Sequence, residues 1–85
     1  MYEVRLGNKS EKFLKKLQHD YRNTIKTRLQ ELKTTIFPRG ALPLEGKPNC
    51  YRIRVGPFRI QYQLLEEEKT ILVYKIERRS ETTYK

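Results

Sequence analysis

The sequence predicts an α+β fold. It should be a two-layer sandwich in which a helical hairpin covers one face of a mainly antiparallel four-stranded sheet, in the order β-α-α-β-β-β. Three observations predict it. Residues 2–6 alternate apolar and charged with period two. Residues 11–36 place apolar side chains at helical spacing. Residues 50–76 fall into three strand-like runs joined by short turns, the pattern of an antiparallel meander. At 85 residues the chain fits a single domain, 1–85, against the roughly 150 residues usual per domain.

Tyr2, Val4 and Leu6 share one face of the first strand, and Glu3 and Arg5 the other. Gly7-Asn8 ends it. Asn8 or Ser10 is the expected cap of the first helix, and Glu11 follows Asn8 at capping-box spacing. Phe13, Leu14 and Leu17 fall on one helical face, with Lys12, Lys15 and Lys16 outside. His19-Asp20 reads as a break, with Asp20 capping a second helix. The stripe of that helix is Tyr21, Ile25, Leu29, Leu32 and Ile36. Residues 37–49 hold all but one of the prolines and half of the glycines, and read as a loop.

Cys50 to Val55 puts Tyr51, Ile53 and Val55 on one face and Cys50, Arg52 and Arg54 on the other. Gly56-Pro57 is a tight turn. In the next run Phe58, Ile60, Tyr62 and Leu64 face one way, and Arg59, Gln61 and Gln63 the other. Residues 66–69 turn again. Residues 70–76 are more apolar than the two runs before them, as a central strand should be. Residues 78–85 form a polar tail.

Charge gives the first functional indication. Lys and Arg number 19 against 10 Asp and Glu, for a formal net charge of +9, which favours nucleic acid or an acidic protein as partner. No apolar run approaches the ~18 residues of a membrane span. The start MYEVRLGNKSEKF lacks the apolar core of a secretory leader. A single cysteine, Cys50, excludes an internal disulfide and suits a reducing cytoplasm. Cys50 and the single histidine, His19, cannot by themselves make a zinc site, so neither metal nor cofactor is expected.

The non-core side of the meander concentrates the chemistry. Residues 50–63 hold three arginines and no acid. Arg52 and Arg54 are neighbours on one face, and a short hairpin can bring Arg59 beside them. Guanidinium groups so crowded repel one another unless an anion lies between, and guanidinium matches phosphate oxygens in a forked geometry. A merely solvated outer face is the alternative. Gln61 and Lys47 join as RNA-binding candidates. Arg78, Arg79 and Tyr84 extend the theme into the tail, where Tyr84 could stack on a base, relay a proton, or cover the end of the sheet. His19 reads as a surface or capping residue, and Cys50 has no histidine neighbour to activate it.

The run Leu44-Glu45-Gly46-Lys47-Pro48-Asn49-Cys50-Tyr51-Arg52-Ile53-Arg54-Val55-Gly56-Pro57-Phe58-Arg59-Ile60-Gln61-Tyr62 resembles the hairpin signature of the RelE/ParE toxin superfamily. The basic tail, Arg78 to Tyr84, resembles the RelE branch. That resemblance implies a toxin that enters the ribosomal A site and cuts mRNA, held in check by a cognate acidic RelB-like antitoxin. By the same resemblance Arg59 matches a phosphate-binding arginine. Arg52 and Arg54 match strand positions usually filled by lysine, Arg78 matches the tail arginine with Arg79 as the alternative, and Tyr84 matches the tail tyrosine.

The implied chemistry is metal-free: a 2′-OH attacks the adjacent phosphate and leaves a 2′,3′-cyclic phosphate and a 5′-OH. Arginines would stabilise the phosphorane. No His or Glu stands out as the base, and arginine is a poor one. Arg52, Arg54, Arg59, Arg78 and Tyr84 are all expected on or beside the face opposite the helices. Two other readings remain: a ParE-like gyrase inhibitor without RNase activity, and a non-catalytic basic RNA-binding module.

Overall fold

The structure, a computed structural model, describes residues 1–79. Its elements are β1 (Glu3–Leu6), α1 (Asn8–Lys16), α2 (His19–Leu32), β2 (Leu42–Pro43), β3 (Cys50–Val55), β4 (Phe58–Leu65), a 3₁₀ turn (Glu66–Glu68) and β5 (Thr70–Arg78). Among the described residues no helix is long and apolar enough to cross a membrane.

The two-layer α+β arrangement holds, with two corrections to the sheet. It has five strands, not four, in the order β1-β5-β4-β3-β2. The extra strand is β2, two residues inside the segment read as a loop, where Leu42 pairs with Arg52 and Pro43 with Tyr51. Proline lacks an N–H and is confined to sheet edges, and β2 is an edge. The other correction concerns β1, which lies parallel to β5, with Val4 opposite Ile71 and Leu6 opposite Val73. The remaining pairings are antiparallel.

The helix caps sit one to three residues earlier than the sequence suggests. Gly7 and Gln18 are the N-caps, neither with a side-chain cap bond, so Asn8 and Asp20 stand in the first turns instead. Asp20 there complements the positive end of the helix dipole. Ile25, Leu29 and Leu32 of α2 are buried against the sheet residues Ile53, Ile60 and Tyr62. Each such side chain contributes about 1.5–3 kcal/mol by leaving water. Ile36 lies past the end of α2, yet its carbonyl accepts a 2.8 Å hydrogen bond from the Tyr62 hydroxyl. That bond satisfies a phenol whose residue is wholly buried.

One irregularity in β5 controls where the polar side chains go. Gln61 pairs with Lys75, but Tyr62 pairs with Val73, so Tyr74 is an extra residue in the ladder. Strands alternate faces with period two, and one inserted residue reverses the phase. Before the bulge Ile71 and Val73 are buried, and after it Ile76 is. Lys75 and Glu77 therefore emerge on the open side of the sheet, while Arg78, opposite Phe58, is carried to the helix side.

Candidate nucleic-acid interface

The open face of the sheet is a grid set by register. One row runs Arg54, Arg59, Glu77 across β3, β4 and β5, and the next runs Arg52, Gln61, Lys75. Neighbouring strands lie about 4.8 Å apart, and rows two residues apart are separated by about 7 Å. Arg52, Arg54, Arg59, Lys75 and one carboxylate, Glu77, thus share a patch of about 10 by 7 Å. Their inward neighbours Ile53, Val55, Phe58 and Ile60 are buried and hold the strands flat against the helices.

Arg54 and Arg59 are direct cross-strand partners. Like charges so placed repel, and the only carboxylate in the grid offsets part of that repulsion. Glu77 lies 3.4 Å from Arg59 and 3.7 Å from Lys75. Among the described residues neither Arg52 nor Arg54 forms an ion pair. Glu77 is a residue that sequence reasoning missed. Strict alternation from Ile71 and Val73 would bury it, and only the bulge at Tyr74 exposes it to Arg59.

Lys47 stands at the far end of the same face. Its ammonium lies 5.8 Å from the centroid of the Tyr74 ring. The loop carrying it folds back on the start of β3, with the Cys50 N–H donating to the Lys47 carbonyl and the Leu44 N–H to the Cys50 carbonyl. Cys50, on the arginine side as expected, is nevertheless buried there. Burial pushes the Tyr74 phenol up to about 12, and the adjacent Cys50 thiol adds to the shift. His19 sits at the start of α2, where its Nε2 and the Asn23 side-chain amide are 3.1 Å apart. That is the surface role expected of it.

Arg78 is not on the open face. Its guanidinium lies 4.9 Å from the centroid of the Phe58 ring and 5.4 Å from that of Tyr21. Tyr21 and Phe58 meet edge to face at 5.1 Å, so Arg78 closes an aromatic stack at the end of the sheet. Arg79 continues the ladder for one more residue, its N–H donating to the Pro57 carbonyl at 2.7 Å. Alternation puts Arg79 on the side of Glu77, so the tail arginine nearest the grid is Arg79. Tyr84 lies outside the described residues. Among the described residues no cluster of three His, Cys, Asp or Glu side chains could hold a metal ion.

A surface with these properties can bind phosphate oxygens through forked donors and stabilise added negative charge. Comparison with known proteins identifies the family. Residues 4–83 match the family model described as ParE toxin of the type II toxin-antitoxin system parDE. The chain is 33% identical over 87 aligned positions to the "Putative toxin RelE1" of Methanocaldococcus jannaschii, covering 99% of this chain and 96% of that one. Its fold superposes on the isolated E. coli RelE toxin with a TM-score of 0.83 at 25% identity, over 98% of this chain and 92% of that one. The toxin in the RelB-RelE antitoxin-toxin complex from Methanococcus jannaschii is also similar, with a TM-score of 0.74 at 25% identity, over 89% of this chain and 91% of that one. The fold of an E. coli toxin, an archaeal relative and a family model spanning nearly the whole sequence converge, and the chain belongs to the RelE/ParE superfamily of toxins from type II toxin-antitoxin systems.

Proposed function

We propose that this toxin is a ribosome-dependent mRNA endonuclease that cuts by attack of a ribose 2′-OH on the neighbouring phosphate. The observation that carries the proposal is the Arg54–Arg59 pair, set directly across two strands beside Arg52 on a face the helices leave open. In the reaction the 2′-oxygen bonds to phosphorus and its proton leaves. The bond from phosphorus to the 5′-oxygen breaks, and that oxygen takes up a proton. The products are a 2′,3′-cyclic phosphate and a 5′-OH. Arg59 and Arg54 hold the non-bridging oxygens, whose charge grows in the phosphorane, and Arg52 grips the flanking backbone. Arg79, Gln61 and Lys47 extend the RNA path. Arg78 anchors the start of the tail on Phe58 and Tyr21, and Tyr84 beyond it stacks on a base or relays a proton.

The proposed partner besides mRNA in the ribosomal A site is an acidic, RelB-like antitoxin. The net charge of +9 and the similarity to a toxin solved with RelB support it. Covering the arginine face would silence the toxin, and the electrostatic share of that binding should weaken with salt.

Mapping the 5′ ends of cellular mRNA after brief induction tests the reading. New 5′-OH ends at ribosome-occupied codons are expected. The match to a ParE model favours a second reading, inhibition of gyrase without RNA cleavage. Intact mRNA with broken DNA would select it and overturn the first.

A further inference from the structure

We propose that Arg39 completes a second phosphate subsite with Arg52 and Arg54, at the β2 edge of the sheet, which holds an RNA phosphate other than the scissile one. The inference rests on the RNA-binding reading above and names a residue which that reading does not use. A cleft of about 380 Å³ lies beside β3, lined by Arg39, Gly40, Leu42, Arg52, Ile53 and Arg54. Three of its six lining residues are arginines and none is acidic. Among the described residues none of the three arginines forms an ion pair, so the cleft concentrates cationic charge without a carboxylate to offset it.

The presentation of Arg39 is built into the backbone. The Ala41 N–H donates to the Pro38 carbonyl at 3.0 Å, closing a four-residue turn with Arg39 and Gly40 at its centre. Gly40 has φ +90, which a type II turn requires at that position and which side-chain-bearing residues rarely adopt. Pro38 fixes the entry to the turn. Leu42 then pairs with Arg52, and extending that antiparallel register by two residues brings Gly40 beside Arg54. The turn therefore delivers an exposed guanidinium to the same end of β3 as Arg54.

Phosphate is the chemistry this cleft fits. Three guanidiniums give forked donors, and half-exposed Leu42 beside them offers an apolar contact for a ribose or base. Arg54 serves both sides of β3, facing Arg59 across the β4 ladder and Arg39 across the cleft. The Arg39 side of the cleft, at the β2 edge, is about two strand spacings, about 10 Å, from β4, so a phosphate held there differs from the one at Arg59.

The test is binding of a fluorescent 2′-O-methyl RNA hexamer, which the toxin cannot cut, to wild type, Arg39→Gln and Arg39→Lys between 50 and 200 mM salt, about the range over which phosphate contacts show. Arg39→Gln should bind about tenfold more weakly, as expected for one charge-assisted contact. Its log K against log salt slope should be shallower by about one. Arg39→Lys should keep the slope and recover part of the affinity. Unchanged affinity and slope in Arg39→Gln would overturn the subsite. So would a loss seen only with a hexaglutamate peptide, which would assign the cleft to a protein partner. The readout does not need cleavage. A toxin that cuts no mRNA, yet loses salt slope in Arg39→Gln, would overturn the endonuclease reading and leave the subsite standing.

Discussion

Arg59 and Glu77 face each other across β4 and β5, with guanidinium and carboxylate 3.4 Å apart and each side chain about one-third exposed. The carboxylate oxygen occupies one of the guanidinium donor positions that a phosphate oxygen would take. RNA binding must therefore displace Glu77 from Arg59 or share the guanidinium with it. A pair exposed to this extent contributes about 0.2–1 kcal/mol.

Glu77→Gln is accordingly expected to tighten RNA binding by about two- to fivefold, the equivalent of that pair. Titration of the 2′-O-methyl hexamer at fixed salt checks it. Weaker binding in Glu77→Gln would show that the carboxylate orients Arg59 rather than competing with RNA.

Arg59→Ala should slow mRNA cleavage by about a hundredfold or more, the usual loss for one donor to a developing oxyanion. Arg59→Lys should restore part of the rate, because an ammonium lacks the fork. Arg59 points away from the core, and in Arg59→Ala the lost pair with Glu77 is offset by relief of the repulsion from Arg54, so thermal stability should hardly change. Single-turnover cleavage on programmed ribosomes, read beside a melting curve, separates the two effects.

Arg78→Ala should lower stability as well as activity. Its guanidinium stacks on Phe58 and Tyr21, and such a contact contributes about 0.5–1 kcal/mol at a partly exposed site. In a domain of this size that equals a fall in Tm of several degrees, on the order of 2–8 °C. A melting temperature identical to wild type would place Arg78 in solvent. Tyr84→Phe, by contrast, should leave Tm alone. A large loss of cleavage there assigns proton transfer, and a small one stacking.

Alkali should unfold the domain through Tyr62. Burial, and then the charge of neighbouring Tyr51, push its phenol from 10.0 up to about 12. Below about pH 10 both folded and unfolded chains keep the proton, and stability is unaffected. Between about 10 and 12 the unfolded chain releases it while the folded chain does not, so stability falls by about 1.4 kcal/mol per pH unit. Tyr74, also raised to about 12, steepens the fall. Tyr62→Phe should flatten it and, by stranding the Ile36 carbonyl, cost about 1 kcal/mol at neutral pH. Denaturant melts at pH 8, 10 and 11 measure both.

Local periodicity by itself determined both helices, the β3–β4 hairpin and the faces of those strands. Side chains alternate every residue in a strand and recur every three to four in a helix, so the side on which Arg52, Arg54, Arg59 and Gln61 emerge is written in adjacent residues. The tertiary structure decided what depends on partners far along the chain. β1 joins β5 in parallel across more than sixty residues of sequence, and nothing within residues 2–6 names that partner. β2 is a strand only because β3 is there to pair with it. The bulge at Tyr74 answers to the ladder with β4, and it reverses the phase of all that follows. That single insertion puts Glu77 against Arg59 and turns Arg78 toward Phe58 and Tyr21, because a period of two has no tolerance for one extra residue.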